Sequence, residues 1–378
     1  MNVRRPVTDD DLDDMALLLT RARPDDPVDI VNFRHRDASW DHTRLWRERL
    51  GVWDGSGVLR GVVTVSHLRW EWDPDRYELQ LVVCPSARRT GIGGTLHDWA
   101  MTSLERRMAI SVRVEVPETD STSLRWAQRR GYVEAGRAWE GRLVVSQANV
   151  DALRAGCARA TGAGVRVTTL AALVLEADGR PTPDPRTAGA RSAASTPRAP
   201  AWLIKTPHAP AWRIHSNGGM VHLDPRGDEA HPTARDAIEA ALFDLDVEAT
   251  ADIPSVAPIV HPPFEEWRAG VLRVPGFVEG EVLVAMAGDA MVGVAYLEAR
   301  ASTPGVLHQG FLGVRRAWRG HGVAQLLKRA TVEAAVARGV GELRTFNDAG
   351  NAAMVHINDV VGFVQATAWI TLVRAVGT

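Results

Sequence analysis

Two short segments of the sequence combine arginine and glycine in a spacing that suits the binding of phosphate. Arg88–Gly94 and Arg319–Ala324 share the pattern Arg-x-x-Gly-x-Gly/Ala, and their starts lie 231 residues apart. Glycine permits a positive φ and the close approach of an anion to the backbone, and arginine adds a fixed positive charge. Chemistry at either segment would begin with the capture of a phosphate or pyrophosphate group.

The elements on either side of the two segments position them as turns. An apolar strand pattern precedes each segment, at Tyr77–Pro85 and at Val306–Leu312. A helix pattern follows each segment, at Leu96–Arg106 and at Val323–Ala337. In such a strand–turn–helix unit, unpaired N–H groups and the positive end of the helix dipole face one point. Both turns are therefore predicted to be anion sites.

The residues after each turn extend the pattern. After the first turn we predict a strand, a helix and two short strands, at Ile110–Val116, Ser121–Arg130, Val133–Arg137 and Gly141–Val145. After the second turn a strand end and a helix carry, in order, Asn347, Asn351, Met354, Asn358 and the pair Gly362–Phe363. This order, together with the turn motif, resembles the cofactor-binding half of the GNAT superfamily of N-acyltransferases. Because the pattern occurs twice, the chain resembles a tandem GNAT protein, similar in layout to the mycothiol synthase group.

The resemblance implies an α/β (α+β) fold with two GNAT-type domains, each a mixed, mostly antiparallel twisted sheet flanked by helices. We place the N-terminal domain at residues 1–147, a helical connector at 148–163 and the C-terminal domain at 164–378. A chain of 378 residues is long enough for two such domains.

The C-terminal domain is interrupted by a proline-rich insertion at residues 178–234. This segment holds nine of the 21 prolines and a short repeat, in which Ala-Pro-Ala-Trp occurs around both Trp202 and Trp212. Such spacing of proline favours extended backbone with few internal hydrogen bonds. Two interpretations remain open: a mobile loop, or a lid whose two tryptophans dock on the protein or on a partner.

The resemblance further implies that acetyl-CoA, or another acyl-CoA, is the cofactor, with its pyrophosphate held by the two turns. The implied contacts in the first domain are Val82, Val83, Cys84, Arg88, Arg89, Thr90, Gly91, Gly93 and Gly94. Those in the second domain are Val314, Arg319, Gly320, His321, Gly322, Val323, Ala324, Asn347 and Asn351. Pro117, near the first-domain position equivalent to Asn347, lacks an N–H donor. We expect one cofactor site in each domain and no metal site.

The implied reaction is acyl transfer to an amine, which requires a base and, for the leaving thiolate, an acid. Deprotonating an amine like that of lysine costs roughly 4–5 kcal/mol at pH 7. His308 is our first candidate base, because the ordinary pKa of histidine is near 6.5. Glu78 is the equivalent candidate in the first domain. Many family members carry a tyrosine acid where this chain has Ala127 and Asn358, so water or Asn358 would have to assist the thiolate.

Composition narrows the possible partners. The net charge of −2 gives no support for a nucleic-acid partner, and no apolar run approaches the roughly 18 residues of a membrane span. Two cysteines form no disulfide framework, and the N-terminus lacks the apolar core of a signal peptide, so we expect a cytoplasmic protein. Nearly all positive charge is arginine, which is typical of a GC-rich bacterial genome.

The sequence therefore predicts an acyl-CoA-dependent N-acyltransferase. The predicted reaction is acetyl transfer from acetyl-CoA to the primary amine of a small molecule. The C-terminal domain is the favoured catalytic half, because it has the fuller motif set. Two alternatives remain: a non-catalytic acyl-CoA-binding or scaffold protein, and a transferase that uses a carrier-protein or aminoacyl-tRNA donor.

Overall fold

The computed structural model describes residues 2–179, 215–217, 220–222 and 233–377. The strands of the N-terminal half are β1 (Val3–Pro6), β2 (Arg47–Trp53), β3 (Leu59–Ser66), β4 (Arg76–Val83), β5 (Ser111–Pro117) and β6 (Val133–Val144). Its helices are α1 (Leu12–Ala22), α2 (Ile30–Ala38), α3 (Ile92–Arg106) and α4 (Ser121–Gln128). Helix α5 (Arg154–Gly162) follows, within the predicted connector.

The C-terminal half repeats the order of strands around a turn and a helix. Its strands are β7 (Val165–Thr169), β8 (His215–Asn217), β9 (Met220–His222), β10 (Val282–Ala287), β11 (Ala290–Ala299), β12 (Val306–Val314), β13 (Glu342–Asp348) and β14 (Val364–Ala375). Its helices are α6 (Leu170–Ala177), α7 (Ala234–Thr250), α8 (Phe264–Trp267), α9 (Val323–Ala337) and α10 (Ala352–Val361). Of the predicted proline-rich insertion at 178–234, the structure describes only residues 178–179, β8, β9 and 233–234, so Trp202 and Trp212 lie outside the described residues.

Within the described chain, all strands except the β8–β9 pair join one sheet, in the order β1-β2-β3-β4-β5-β14-β6-β13-β12-β11-β10-β7. The centre of this sheet contains an exchange of strands between the two halves. β14, from the end of the chain, lies between β5 and β6, and β6 lies between β14 and β13. The sheet thus runs through the predicted domain boundary, while the domain limits themselves stay a prediction.

The exchange corrects one prediction. Val133–Arg137 and Gly141–Val145 are not two strands, because β6 is continuous from Val133 to Val144. The glycine that we interpreted as the start of a new strand, Gly141, pairs with Thr345 of β13 on one side and Gln365 of β14 on the other. A methyl group there would lie 3.3 Å from the Thr345 side chain, so glycine permits the close packing of the strand rather than ending it.

In each half of the sheet, two neighbouring parallel strands pair at one end and separate at the other. The last residue pair that joins β4 to β5 is Glu78–Arg113, and the last that joins β12 to β13 is Gln309–Thr345. On their other edges, β5 pairs with β14 and β13 pairs with β6 along their whole lengths. Each half therefore has a gap that opens towards the C-terminal ends of two neighbouring strands, next to its glycine-rich turn.

The two gaps differ in one detail of register. In the C-terminal half Tyr296 pairs with Phe311 but Leu297 pairs with Gln309, so Gly310 is an extra residue in β12. In the N-terminal half β3 and β4 pair without any such shift. A β-bulge leaves one residue unpaired and bends its strand. Only the C-terminal gap therefore has a bulge on its turn-bearing strand, within the described sheet.

Helices α3 and α9 bury apolar faces against the two parts of the sheet. Leu96 and Leu104 of α3 are fully buried against β3 residues such as Val63, and Leu327 of α9 is fully buried against β11. Truncating such a leucine to alanine costs about 2–5 kcal/mol. This packing fixes the N-terminal end of each helix next to its gap. No described helix has both the length and the apolar character needed to cross a membrane.

Candidate active site

The two glycine-rich turns have the same backbone shape. Gly320 and Gly322 have φ values of +78° and +85°, and the equivalent residues of the first turn, Arg89 and Gly91, have φ values of +65° and +88°. The left-handed conformation costs a non-glycine residue about 1–3 kcal/mol, a cost that Gly320 avoids and Arg89 bears. Successive left-handed residues turn several N–H groups towards one point, which makes a concavity for an anion.

The first turn of each following helix is open to an anion. Neither N-cap residue, Gly91 before α3 nor Gly322 before α9, supplies a capping hydrogen bond from a side chain. The N–H groups of that turn have no partner within the helix. The motif arginines fold back on the preceding strand, since Arg319 Nε donates to the Val314 carbonyl at 3.2 Å and Arg88 Nε to the Val83 carbonyl at 3.5 Å.

A cleft of about 410 Å³ adjoins the second turn. Its walls come from the end of β12, the turn, the start of α10 and the end of α7. Of the residues predicted to bind the cofactor, it brings together Val314, Arg319, Gly320, Gly322, Val323, Ala324 and Asn351. His321 is exposed beside the turn but does not line the cleft. Asn347 lines a neighbouring cavity of about 20 Å³ with Asn358 and Phe363.

Two large side chains, those of Trp126 and Arg130, lie close to the first turn. Trp126, which corresponds to Ile357 of the cleft, stacks against the Arg130 guanidinium at 3.8 Å. A methyl group at Gly93 would lie 3.9 Å from the Trp126 ring, and one at Gly94 would lie 3.6 Å from Arg130. The helix after the gap is capped by the carboxylate of Asp120, whereas in the second half Asn351 caps it.

The remaining predicted contacts of the first half are divided between the surface and the core. The turn residues Arg88, Arg89, Thr90 and Gly91 are exposed. Val82 and Cys84 are buried in the cluster that holds α1 against the sheet, and Val83 is partly buried. The Cys84 thiol lies 3.3 Å from the Ser86 hydroxyl, which lowers the pKa of the thiol. For both turns, the role of these residues in cofactor binding stays a prediction.

Carboxylates from the end of α7 pair with the arginines of the second turn. Glu248 accepts from the Arg315 guanidinium at 2.6 Å and from the Arg316 backbone N–H at 2.7 Å. Asp252 accepts from both Arg316 and Arg319, each at 2.7 Å. These pairs hold the turn in place and also neutralise part of its positive charge. Sequence patterns gave no sign of them, because the partners lie more than 60 residues away along the chain.

His308 lies on β12 one residue before the gap opens, and its side chain is buried. Its Nε2 is 3.1 Å from the Thr303 hydroxyl. Burial, together with the positive charges of Arg300 and Arg344, lowers the pKa of His308 to about 3. The expectation that this histidine titrates near neutral pH is therefore wrong, and its imidazole is neutral at pH 7.

Glu78 occupies the equivalent place on β4. Its side chain keeps 36% of its surface accessible, and its carboxylate lies 3.8 Å from Arg113 Nε. Burial raises the pKa of Glu78 to about 7, with Arg113 acting against the rise and the carboxylates of Glu115 and Glu71 adding to it. A carboxylate in a narrow recess can keep part of its surface accessible to solvent and still lose most of its hydration, which accounts for both observations. Such a pKa suits proton transfer at neutral pH.

A fully buried lysine that belongs to none of the sequence motifs lies beside the second gap. Lys328 of α9 donates from Nζ to Gln309 Oε1 at 2.7 Å and lies 4.7 Å from the centre of the Phe363 ring. Burial lowers the pKa of Lys328 to about 7. The residue type could have marked this position in the sequence, because Lys328 is the one lysine of the chain outside the insertion and lies on a helix with an apolar face. Its counterpart in α3 is His97, 3.3 Å from the Tyr132 hydroxyl.

Asn358, the position where the family often has a tyrosine, is buried in α10 and its Oδ1 has no hydrogen-bond partner. It faces the cavity of about 20 Å³ next to the gap, which has the room of a single water molecule. An unpartnered buried amide oxygen is costly and fits a position where a polar ligand or water completes the site.

The turns, the parted strands and the cleft together form a site whose shape and backbone N–H groups suit a phosphate-bearing group at the split edge of a mixed sheet. Residues 13–132 and 247–363 match the model of the acetyltransferase (GNAT) family. These two segments make up more than half of the chain. The chain belongs to the GNAT family and is a tandem acetyltransferase of that family.

Solved structures with the same fold support the tandem arrangement. A tandem GNAT protein from the clavulanic acid biosynthesis pathway, solved without acetyl-CoA, is 15% identical with a TM-score of 0.62, covering 100% of this chain and 99% of its own. A GCN5-related N-acetyltransferase from Sphaerobacter thermophilus is 18% identical with a TM-score of 0.56, covering 100% and 96%. A search of curated protein sequences found no match. At these identities the structural likeness shows the fold alone.

Proposed function

We propose that this protein is an acetyl-CoA-dependent N-acetyltransferase that acts on the primary amine of a small molecule, and that the C-terminal half performs the transfer. One observation carries the proposal. The cleft of about 410 Å³ extends from the second glycine-rich turn to Leu312 and Gly313, in the part of β12 that lies beyond its last pair with β13. A cofactor with a pyrophosphate at one end and a thioester at the other could lie along this path.

The residues present fit such a cofactor. Gly320 and Gly322 form an uncapped anion cradle at the start of α9. Beyond Gln309, β12 has β11 on one edge and no partner among the described strands on the other. The free backbone groups of that edge can pair with the amides of a pantetheine arm as a further strand would. When bound, acetyl-CoA supplies the activated acetyl group.

Three differences between the halves favour the C-terminal one. The bulge at Gly310 is present on β12 and has no counterpart on β4. Ile357 lines the cleft, whereas its larger counterpart Trp126 lies beside Gly93 and stacks against Arg130. Asp348, the counterpart of Pro117, retains the N–H that proline lacks.

Proton handling in the C-terminal half follows from the burial of its polar groups. A neutral His308, which lies at the gap but does not line the cleft, would accept a hydrogen bond from an amine that enters the gap. It is too weak a base to hold the proton, which would pass to solvent. The thiolate needs little help, because a thiol with a pKa of about 8.5 departs as thiolate at a cost of roughly 2 kcal/mol at pH 7. Asn358, with its unpartnered Oδ1, would order a water beside the leaving sulfur.

A second candidate keeps the activity and places it in the N-terminal half. The observation in its favour is Glu78, a partly accessible carboxylate whose pKa of about 7 suits a general base. In that case the rate would rise as the pH passes through about 7, because the deprotonated carboxylate is the active form, and the rise would vanish in Glu78→Gln.

The test is amine-dependent release of thiol from acetyl-CoA, measured with a panel of small primary amines. We expect release with the wild-type chain, about a tenfold loss of kcat in His308→Ala for one hydrogen bond removed, and little change in Glu78→Gln. Loss in Glu78→Gln with full activity in His308→Ala would place the reaction in the N-terminal half. Binding of acetyl-CoA without release for any amine would favour the non-catalytic scaffold. Release with only a carrier-protein or aminoacyl-tRNA donor would favour that alternative.

A further inference from the structure

An arginine from outside both turns reaches the cleft of the C-terminal half. Arg159 belongs to α5, in the segment between the two halves, and its side chain lines the cleft. Its Nη2 donates to Gln325 Oε1, in the first turn of α9, at 3.3 Å. The guanidinium therefore lies at the helix end that faces the anion cradle.

Close packing of α5 against the N-terminus of α9 fixes the position of Arg159. A methyl group at Gly322 would overlap the carbonyl of Gly156, with 2.7 Å to its carbon, and a methyl group at Gly156 would overlap the Gln325 side chain. Two glycine positions thus bring the backbone of α5 directly against the N-terminus of α9. At the first turn no atom of the described chain lies within 4 Å of a methyl group placed at Gly91, so none of the described helices packs there as α5 does on Gly322.

No carboxylate among the described residues neutralises the charge of Arg159. The other arginines beside the cleft are already paired, Arg315 with Glu248 and both Arg316 and Arg319 with Asp252. Arg159 forms no ion pair within the described part of the chain, and its hydrogen-bond partner is a neutral amide. A guanidinium offers a planar fork of donors that matches a phosphate group.

We propose that Arg159 binds a phosphate group of the acyl-CoA, so that α5 is a cofactor-binding element of the C-terminal half. The inference rests on the proposed function, because it assumes that the cleft holds acyl-CoA. The phosphate is either the pyrophosphate at the turn or the 3′-phosphate of the adenosine, and the experiment distinguishes these two.

Calorimetric titration with coenzyme A tests the proposal without any measure of activity. Arg159→Ala should weaken binding by about 10- to 100-fold, the range expected for a lost charge-assisted hydrogen bond. Arg154→Ala is the matched control, because Arg154 lies on the same helix, pairs with Asp151 at 2.7 Å and does not line the cleft. Its affinity should equal that of the wild type.

A second titration with 3′-dephospho-coenzyme A locates the contact. If the wild type and Arg159→Ala bind this probe equally, Arg159 holds the 3′-phosphate; if the difference persists, it holds the pyrophosphate. Equal affinity of Arg159→Ala and wild type for coenzyme A itself would overturn the inference and leave the proposed function intact. No binding of coenzyme A by the wild type would overturn both. Arg159 is exposed, so unchanged thermal unfolding should show that the variant is folded.

Discussion

Replacing Gly322 with alanine should destabilise the protein far more than replacing Gly91, although the two glycines occupy the same place in the two turns. Both have a left-handed backbone, with φ values of +85° and +88°. An alanine in that conformation costs about 1–2 kcal/mol, and this part of the penalty is common to both variants. The variants differ in what the new methyl group meets.

The difference can be worked out from the neighbours of each glycine. At Gly91 the methyl group meets nothing within 4 Å, so the backbone penalty of about 1–2 kcal/mol is the whole effect. At Gly322 it overlaps the carbonyl of Gly156, and α5 must move away from α9. Overpacking of this kind costs about 1–3 kcal/mol more, which brings Gly322→Ala to about 2–5 kcal/mol.

Urea unfolding followed by circular dichroism measures both variants, with the midpoint and slope fitted for each. Movement of α5 also carries Arg159 away from the cleft, so Gly322→Ala should lose affinity for coenzyme A. Equal destabilisation by the two substitutions would contradict this prediction, because it would mean that α5 does not pack against Gly322 in solution.

Two further predictions concern buried or recessed ionisable groups. Lys328→Met should raise the free energy of unfolding at pH 6 by roughly 2–4 kcal/mol, because the lowered pKa costs about 5 kcal/mol and about 1–3 kcal/mol is deducted for the acceptor left on Gln309. The pKa of Lys328 is about 7 in the folded protein and 10.5 ordinarily, so the unfolded chain holds the proton more tightly. The resulting loss of folding stability is complete below pH 7 and disappears as the pH rises towards 10.5. The stabilisation by Lys328→Met should therefore decrease over the same pH range. Urea unfolding at pH 6 and pH 9 would contradict this if the gain were the same at both. For Glu78 the folded pKa is raised, so its deprotonated form costs stability above about pH 7, and Glu78→Gln should be more stable than wild type at pH 8 but not at pH 4 in thermal unfolding.

The local parts of the fold could be predicted from the sequence because they depend on neighbouring residues. The strand, the turn and the helix around Gly322 follow from apolar spacing and from the need for a left-handed glycine. The family followed from the same segments, and the match at residues 13–132 and 247–363 confirms it.

The rest could not be predicted because distant parts of the chain decide it. Local pattern identifies β6 and β14 as strands, but their partners are set by tertiary packing across the whole sheet, which is why Gly141 was misread as a break. The pKa of His308 depends on Arg300 and Arg344, which only folding brings near. The seating of α5 on Gly322 and the burial of Lys328 likewise have no signature in any one segment.

The proposed function requires the C-terminal cleft to hold acetyl-CoA during the transfer. Ile357→Trp tests this requirement, because it places in the cleft the larger side chain that Trp126 has at the equivalent position of the other half. The measurement is amine-dependent thiol release by the folded variant. We predict a loss of about 100-fold or more, since blocking the cleft removes the binding on which positioning of the thioester depends. Wild-type rates in Ile357→Trp would contradict this requirement and assign the transfer to the N-terminal half.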